Sequence, residues 1–215
     1  VEGTLYPLLS RLRKAGLDAK VPVTGRSASN GRESRLRLLA AGVEDVLEKP
    51  VDDSFLLARA RSVIRASASA SEWKLRDGTS RALGFAEPSA QFGPAQTVRI
   101  VTQNTERLDP WCNSMRALTR AALQSCTPGV AVNGDAQGAV ADGFVLLVES
   151  GKSGDMLGLL ATIRRNADTR HSAILVVQVD PDPKLGAQLL DMGANDVMTF
   201  DSAPAATALR LAALL

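Results

Sequence analysis

Ala41-Gly42-Val43-Glu44-Asp45-Val46-Leu47-Glu48-Lys49-Pro50 joins three structural signals in ten residues. Gly42 supplies the left-handed residue that closes a helix. Val46-Leu47 is a short apolar strand that ends on a lysine followed by proline. Val51-Asp52-Asp53 then opens a new helix with acidic residues in its first turn, where the helix dipole favours negative charge. A lysine at the carboxyl end of a buried strand stands where open α/β sheets gather their chemistry.

On either side of this run the same alternation continues. Leu5, Leu8, Leu9 and Leu12 fall at i, i+3, i+4 and i+7 within residues 4–16, with Arg11, Arg13 and Lys14 opposite and Gly16 at the end, an amphipathic helix. Val21 to Arg26 reads as a short strand, Ser29-Asn30-Gly31 as a turn, and Arg32 to Ala41 as a helix carrying Leu36 and Leu39. After Pro50, Phe55, Leu56, Ala60, Val63 and Ile64 form the apolar side of a helix from Asp52 to about Ala66. The order is helix, strand, helix, strand, helix.

With glycine, aspartate, lysine and proline all in place, the run resembles a segment of response-regulator receiver domains, Ala-Gly-Ala-x-Asp-Tyr-x-x-Lys-Pro. The resemblance implies that residues 1–66 are the carboxyl-terminal half of a first receiver, from its third to its fifth helix, with the first three strands upstream of Val1. Family spacing puts the switch hydroxyl about twenty-two residues before Lys49, at Ser27, and Pro22-Val23 then opens the preceding strand as it does in receivers. Arg26 and Thr24-Gly25 depart from the pattern, and Thr24 is the alternative hydroxyl. Lys49, Ser27 and Pro50 are thus the expected phosphoryl-sensing residues. Taken alone, Glu2 to Leu12 resembles instead the recognition-helix segment of PadR-like winged-helix regulators; the continuation into Lys49-Pro50, with no two-stranded wing, argues against a DNA-binding reading.

Residues 67–96 shift in composition, from Ser67-Ala68-Ser69-Ala70-Ser71 to a stretch rich in proline, glycine and alanine, and read as a linker. A second α/β unit, 97–215, follows. Strands are expected at Val98–Val101, Val130–Val132, Phe144–Val148, Ile174–Val177 and Val197–Met198. Helices are expected from Asp109-Pro110, through Gln137 to Val140, around Met156 to Ile163, from Lys184 to Met192 and from Pro204 to Leu215. Phe144 to Val148 is apolar throughout, as a central parallel strand covered on both faces should be. The expected fold class is α/β, a doubly wound, flavodoxin-like parallel sheet ordered 2-1-3-4-5, present as one partial and one complete copy. Ala41-Gly42-Val43-Glu44-Asp45-Val46 returns as Met192-Gly193-Ala194-Asn195-Asp196-Val197, an internal repeat. With Asp180-Pro181-Asp182, that word resembles the second, degenerate receiver of PleD-type response regulators, in which two receivers precede a GGDEF diguanylate cyclase domain.

In receivers an aspartate accepts the phosphoryl group, an acidic pair holds Mg²⁺ through hard oxygen ligands, and a hydroxyl and a lysine contact the phosphoryl oxygens. Carried onto 97–215, the resemblance puts the acidic pair at Gln103 and Asn104, the acceptor at Val148 beside Glu149, the hydroxyl at Gln178 or Val179, and the lysine-proline pair at Phe200-Asp201. None of these is the family residue; a one-residue slip would bring Glu149 to the acceptor position. This second copy is therefore expected to be a pseudo-receiver, an adaptor and dimerisation domain inert to phosphoryl donors. The chain holds no catalytic acceptor and no metal site, and Mg²⁺ is expected only for an intact first receiver. The resemblance further implies a two-component phosphorelay role, a sensor histidine kinase or phosphotransfer protein as partner, cyclic di-GMP signalling through an output domain after Leu215, and homodimers through the face made by the fourth helix, fifth strand and fifth helix. Arg59, Arg61, Glu44, Asp45, Asp52 and Asp53 are the charges available to that face.

Composition narrows the alternatives. The 215 residues are 45% hydrophobic and 22% charged with a net charge of +2, which gives no footprint for nucleic acid or a membrane surface. No apolar run approaches the roughly 20 residues of a membrane span, and a cytoplasmic protein is expected. Two cysteines, Cys112 and Cys126, are too few for a disulfide framework or metal cluster, and His171 has no second ligand nearby. A nucleotide-binding enzyme would need a glycine-rich loop after the first strand; Gln103-Asn104-Thr105-Glu106-Arg107 has no glycine.

Overall fold

The computed structural model describes residues 24–27, 45–82, 96–103, 109–133, 140–149, 151, 153–200 and 204–215. The chain divides into two units, Val1–Ala86 and Glu87–Leu215. In the first, β1 (Thr24–Ser27) pairs in parallel with β2 (Asp45–Glu48), and α1 (Asp53–Ala82) follows. The helices expected over 4–16 and 32–41, and Pro22-Val23, lie outside the described residues. Asp52 caps α1: its Oδ1 accepts the backbone N–H groups of Ser54 (2.9 Å) and Phe55 (3.1 Å), which would otherwise be unpaired at a helix start.

Two expectations for this helix need correction. Residues 67–82, expected as part of a linker, continue α1 without a break. Alanine is the best helix former, serine costs only a few tenths of a kcal/mol, about 0.5 per residue, and no proline interrupts the ladder. Nor is the expected apolar side buried throughout: Val63 is buried and Phe55 and Leu56 are half-buried, but Ala60 and Ile64 are exposed, while Ala58, Arg59 and Ser62 are buried.

The second unit contains β3 (Thr97–Val101), α2 (Asp109–Leu118), β4 (Ala122–Cys126), α3 (Pro128–Asn133), β5 (Gly143–Val148), α4 (Ser153–Arg165), β6 (Ala173–Gln178), α5 (Pro183–Asp191), β7 (Asp196–Thr199) and α6 (Pro204–Leu214). The five strands form one all-parallel sheet in the order β4-β3-β5-β6-β7, the expected 2-1-3-4-5. Side chains alternate across the central strands. Phe144, Leu146, Val148, Ile174 and Val176 join one core with Met156, Leu160, Ile163 and Leu189 from α4 and α5. Val145, Leu147, Leu175 and Val177 join another with Trp111, Cys112 and Met115 of α2 and Ala208 and Leu211 of α6. Helices on both faces explain why these strands have no polar alternation.

The second strand of this sheet is Ala122–Cys126, not Val130–Val132, which lies in α3. Pro128 suits a first helical turn because its missing N–H has no partner there anyway, and Val130 and Ala131 donate to the Thr127 carbonyl. Ala-Leu-Gln-Ser-Cys carries no β-branched residue; it is a strand because β3 offers a parallel edge to it. Arg99, buried in β3, donates from Nη1 to the Ala131 carbonyl at 3.2 Å and so ties α3 to the sheet. Of the helix expected over Gln137 to Val140, only Val140 is described, and it is not helical.

The repeated word closes α5. Gly193 N–H donates to Leu190 O and Ala194 N–H to Leu189 O, both 3.0 Å, with Gly193 at φ 112°, a Schellman closure. Arg164 of α4 fastens this corner: it donates to the carbonyls of Gly193 (2.9 Å), Arg170 (2.8 Å) and Ser172 (2.7 Å) and to Asn195 Oδ1 (2.7 Å). Asn195 Oδ1 also accepts the Ile174 N–H at 2.8 Å, so the amide bridges β6 and the loop entering β7.

Candidate functional site

In an open parallel sheet the crevice lies at the carboxyl ends of the strands, where the winding reverses. Here that place is between β3 and β5, flanked by the ends of β6 and β7. In both units paired residues of the last two strands stand twenty-one apart, Thr24 opposite Asp45 and Leu175 opposite Asp196. The two pairs are therefore one arrangement repeated, and each residue of β1 and β2 has a counterpart 151 positions on (45 to 196).

This register locates the candidate residues. Ser27 ends β1 opposite Glu48, and Lys49 is the next residue, so the hydroxyl-bearing and amine-bearing positions share one end of one strand pair. Lys49 and Pro50 are exposed, and the peptide between them is cis. Their counterparts are Gln178 and Phe200. Gln178, buried at the end of β6, donates from Nε2 to the Asp182 carbonyl at 3.0 Å. Phe200 N–H donates to Gln178 O at 2.8 Å, and its ring centroid lies 6.0 Å from that of Trp111 with the planes tilted by 34°. Where the first unit offers an ammonium group, the second has an aromatic pair packed on the core.

The remaining candidate positions fall at the ends of β5 and β3. Val148, the last residue of β5, is buried in the core with Met156, and its carbonyl accepts the Val179 N–H at 2.9 Å. Glu149 follows, half-buried. Gln103, just past β3, donates from Nε2 to Asp155 Oδ2 at 2.8 Å, joining that strand end to the first turn of α4. Asn104 and Asp201 lie outside the described residues. No group of three or more potential metal-ligating side chains occurs among the described residues. Trp111 and Asp155 carry contacts that the sequence pattern did not single out; the signal was their place in the first turns of the helices that follow β3 and β5.

Cys126, at the end of β4, has its thiol pKa raised above the ordinary value by burial, an effect opposed by the nearby Arg99 guanidinium. Both cysteines are unbridged, Cys112 packing beneath α2 in one core and Cys126 against the other, so the sheet separates them. Among the charges expected on a pairing face, Arg59 is instead buried, and Asp52 is engaged in capping α1. Among the described residues no helix is long and apolar enough to cross a membrane.

No protein-family model matches the chain. "Response regulator PleD" from two strains of Caulobacter vibrioides, NA1000 / CB15N and ATCC 19089 / CIP 103742 / CB 15, is 28% identical over 197 residues, 90% of this chain and 42% of theirs. The chain thus spans about two fifths of the length of these relatives. Among solved structures, the receiver domain of a signal transduction histidine kinase from Syntrophus aciditrophicus is 17% identical, with a TM-score of 0.48 over 56% of this chain and 90% of that one. A response regulator from Thermotoga maritima is 15% identical, with a TM-score of 0.47 over 56% and 98%. An all-parallel five-stranded sheet ordered 2-1-3-4-5, a repeated strand pair in identical register and sequence likeness along nine tenths of the chain point the same way: in sequence this chain is similar to the response regulator PleD.

Proposed function

We propose that the chain is a signalling region of a response regulator, in which the two receiver copies have divided the work. The observation that carries this reading is the contrast at one register position, Lys49 after β2 against Phe200 after β7. In the first copy Lys49 and Ser27 contact a phosphoryl group held by an aspartate on a segment outside residues 1–215, with Mg²⁺ bound there. An ammonium and a hydroxyl suit that task because charge-assisted hydrogen bonds to phosphoryl oxygens are about twice as strong as neutral ones. The donor is a histidine kinase or phosphotransfer protein. The second copy takes no phosphate: neither Val148 nor Gln103 offers a carboxylate for acceptor or metal. It acts as an adaptor and dimerisation domain, and the output is a diguanylate cyclase domain beyond Leu215, as the likeness to the Caulobacter protein suggests.

The test is beryllofluoride with Mg²⁺, read by tryptophan emission and by sedimentation. The chain 1–215 should show no response, whereas the full-length protein should respond and should lose the response on Lys49→Ala. A Mg²⁺-dependent response from residues 87–215 alone would refute the inert second copy.

A further inference from the structure

α6 lacks the polar side that a surface helix normally turns to water. Its one charged residue, Arg210, points back to β7: Nε lies 3.4 Å from Asp196 Oδ2, and only 11% of the arginine side chain is exposed. Thr207, Ala208 and Leu211 are buried, the last two in the core shared with α2. The exposed residues are Ala205, Leu209, Ala212 and Ala213, all apolar, and Leu209 is 52% exposed. They fall at i, i+4, i+7 and i+8, along one side of the helix. α2 packs beside α6 and ends in a second apolar residue turned to water, Leu118, 53% exposed. A helix apolar on every side belongs in an interior, so the outer side of α6 has the character of a contact.

Two features choose the occupant. The exposed side of α6 carries no charge, so it can meet an identical copy without the like-charge encounter that a two-fold axis forces on a charged patch. Leu209 projects from among alanines, which leave room beside it for the same leucine of another copy. α2, in turn, differs in charge between its ends: it starts at Asp109 and carries Arg116 in its last turn, with Arg120 just beyond, both arginines exposed. α2 and α6 run in the same direction, because each follows a strand of one all-parallel sheet. Two copies paired with their α6 helices antiparallel therefore set the acidic start of one α2 toward the basic end of the other, twice over.

We propose that a second copy of this chain covers α6, in a two-fold contact centred on Leu209 with the α6 helices antiparallel and the ends of α2 matched in charge. The inference rests on the reading of the second copy as a dimerisation domain and deepens it. It places the contact on the outer side of α6 and on α2, not on the face shared by α5, β7 and α6, where Arg210 is already held by Asp196. An 11-residue helix is about 16 Å long, so the patch is small and the dimer weak and concentration-dependent.

Sedimentation of the 215-residue chain, without Mg²⁺ or a phosphoryl donor, should show a mass that rises with concentration from monomer toward dimer. Leu209→Lys should weaken association about tenfold or more and leave the thermal midpoint unchanged, since the side chain is already exposed. Arg116→Glu with Arg120→Glu should weaken it as well, whereas Gln188→Arg, at an exposed position of α5, should not. Under mild oxidation Leu209→Cys should give a dimer linked through residue 209, with peptide mapping to separate that link from any through Cys112 or Cys126. A chain that stays monomeric at every concentration would overturn the proposal together with the dimerisation reading. Association unmoved by Leu209→Lys, association abolished by Gln188→Arg, or no link through residue 209 would overturn the proposal and leave that reading standing. The beryllofluoride response is a separate measurement, and its failure would leave this contact untouched.

Discussion

Phe200 shows how one aromatic side chain ties the end of a strand to the core. Its ring meets Trp111, so a lysine there would place an ammonium group against apolar carbon instead of phosphoryl oxygen. Phe200→Lys should lower the stability of the second unit by about 1–3 kcal/mol, the usual cost of lost apolar burial. A shifted urea midpoint would measure it. The substitution should not create Mg²⁺-dependent beryllofluoride binding, because Val148 and Gln103 still lack carboxylates. Gly193 is a second residue with little latitude. Its φ of 112° disfavours any side chain, and a Cβ would come within 3.1 Å of Arg164 Nε. Gly193→Ala should cost about 1–3 kcal/mol, and Arg164→Ala, which strips four hydrogen bonds from one corner, about 2–4 kcal/mol; thermal denaturation of residues 87–215 checks both. For Cys126 the raised thiol pKa has a definite sign. The folded state holds this proton more tightly than the unfolded chain, so the associated stability is present below the ordinary cysteine pKa and declines as pH rises through the folded value. Alkylation of Cys126 at pH 8 should accordingly be slower in the folded protein than in urea.

At the level of elements, capping decides where helices begin. Asp182 accepts the N–H groups of Lys184 (2.9 Å) and Leu185 (3.2 Å) ahead of Pro183, just as Asp52 does for α1. Asp182→Ala should cost about 1 kcal/mol, seen as a lower melting temperature of the second unit with no change in its circular-dichroism spectrum. The parallel pairs β1–β2 and β6–β7 share a register that makes Lys49 and Phe200 comparable residue for residue. Strand propensity favours Val130-Ala131-Val132 as the second strand of the complete sheet, whereas β3 pairs Ala122–Cys126 along one edge. Pairing is a property of two segments and leaves little trace in either alone. The run of α1 past Ala66 leaves as little trace for a related reason: serine-alanine sequence suits both a linker and a helix, and local composition does not choose.

For the whole molecule, the second unit has its own two-sided core, and residues 87–215 should fold alone. Their urea unfolding should be a single cooperative transition whose midpoint matches that unit's transition in the full chain; a broad or absent transition would contradict a self-sufficient core. The first unit has a single described strand pair and a helix with apolar residues in water, and should unfold at lower denaturant.

The amino-acid sequence by itself determined the α/β class, four of the five strands of the second unit and the repeated word that ends each unit's penultimate helix-to-strand turn in the sequence. Those follow from local signals: apolar runs, glycine and proline punctuation, and a word that occurs twice at one spacing. Tertiary structure alone decided that Phe200 stacks near Trp111, that Gln103 bonds Asp155, that Arg59 is buried while Ile64 is not, and that β4 precedes α3 instead of replacing it. Each of these depends on a partner distant in sequence, and a helix with two plausible faces buries whichever one the surrounding elements cover.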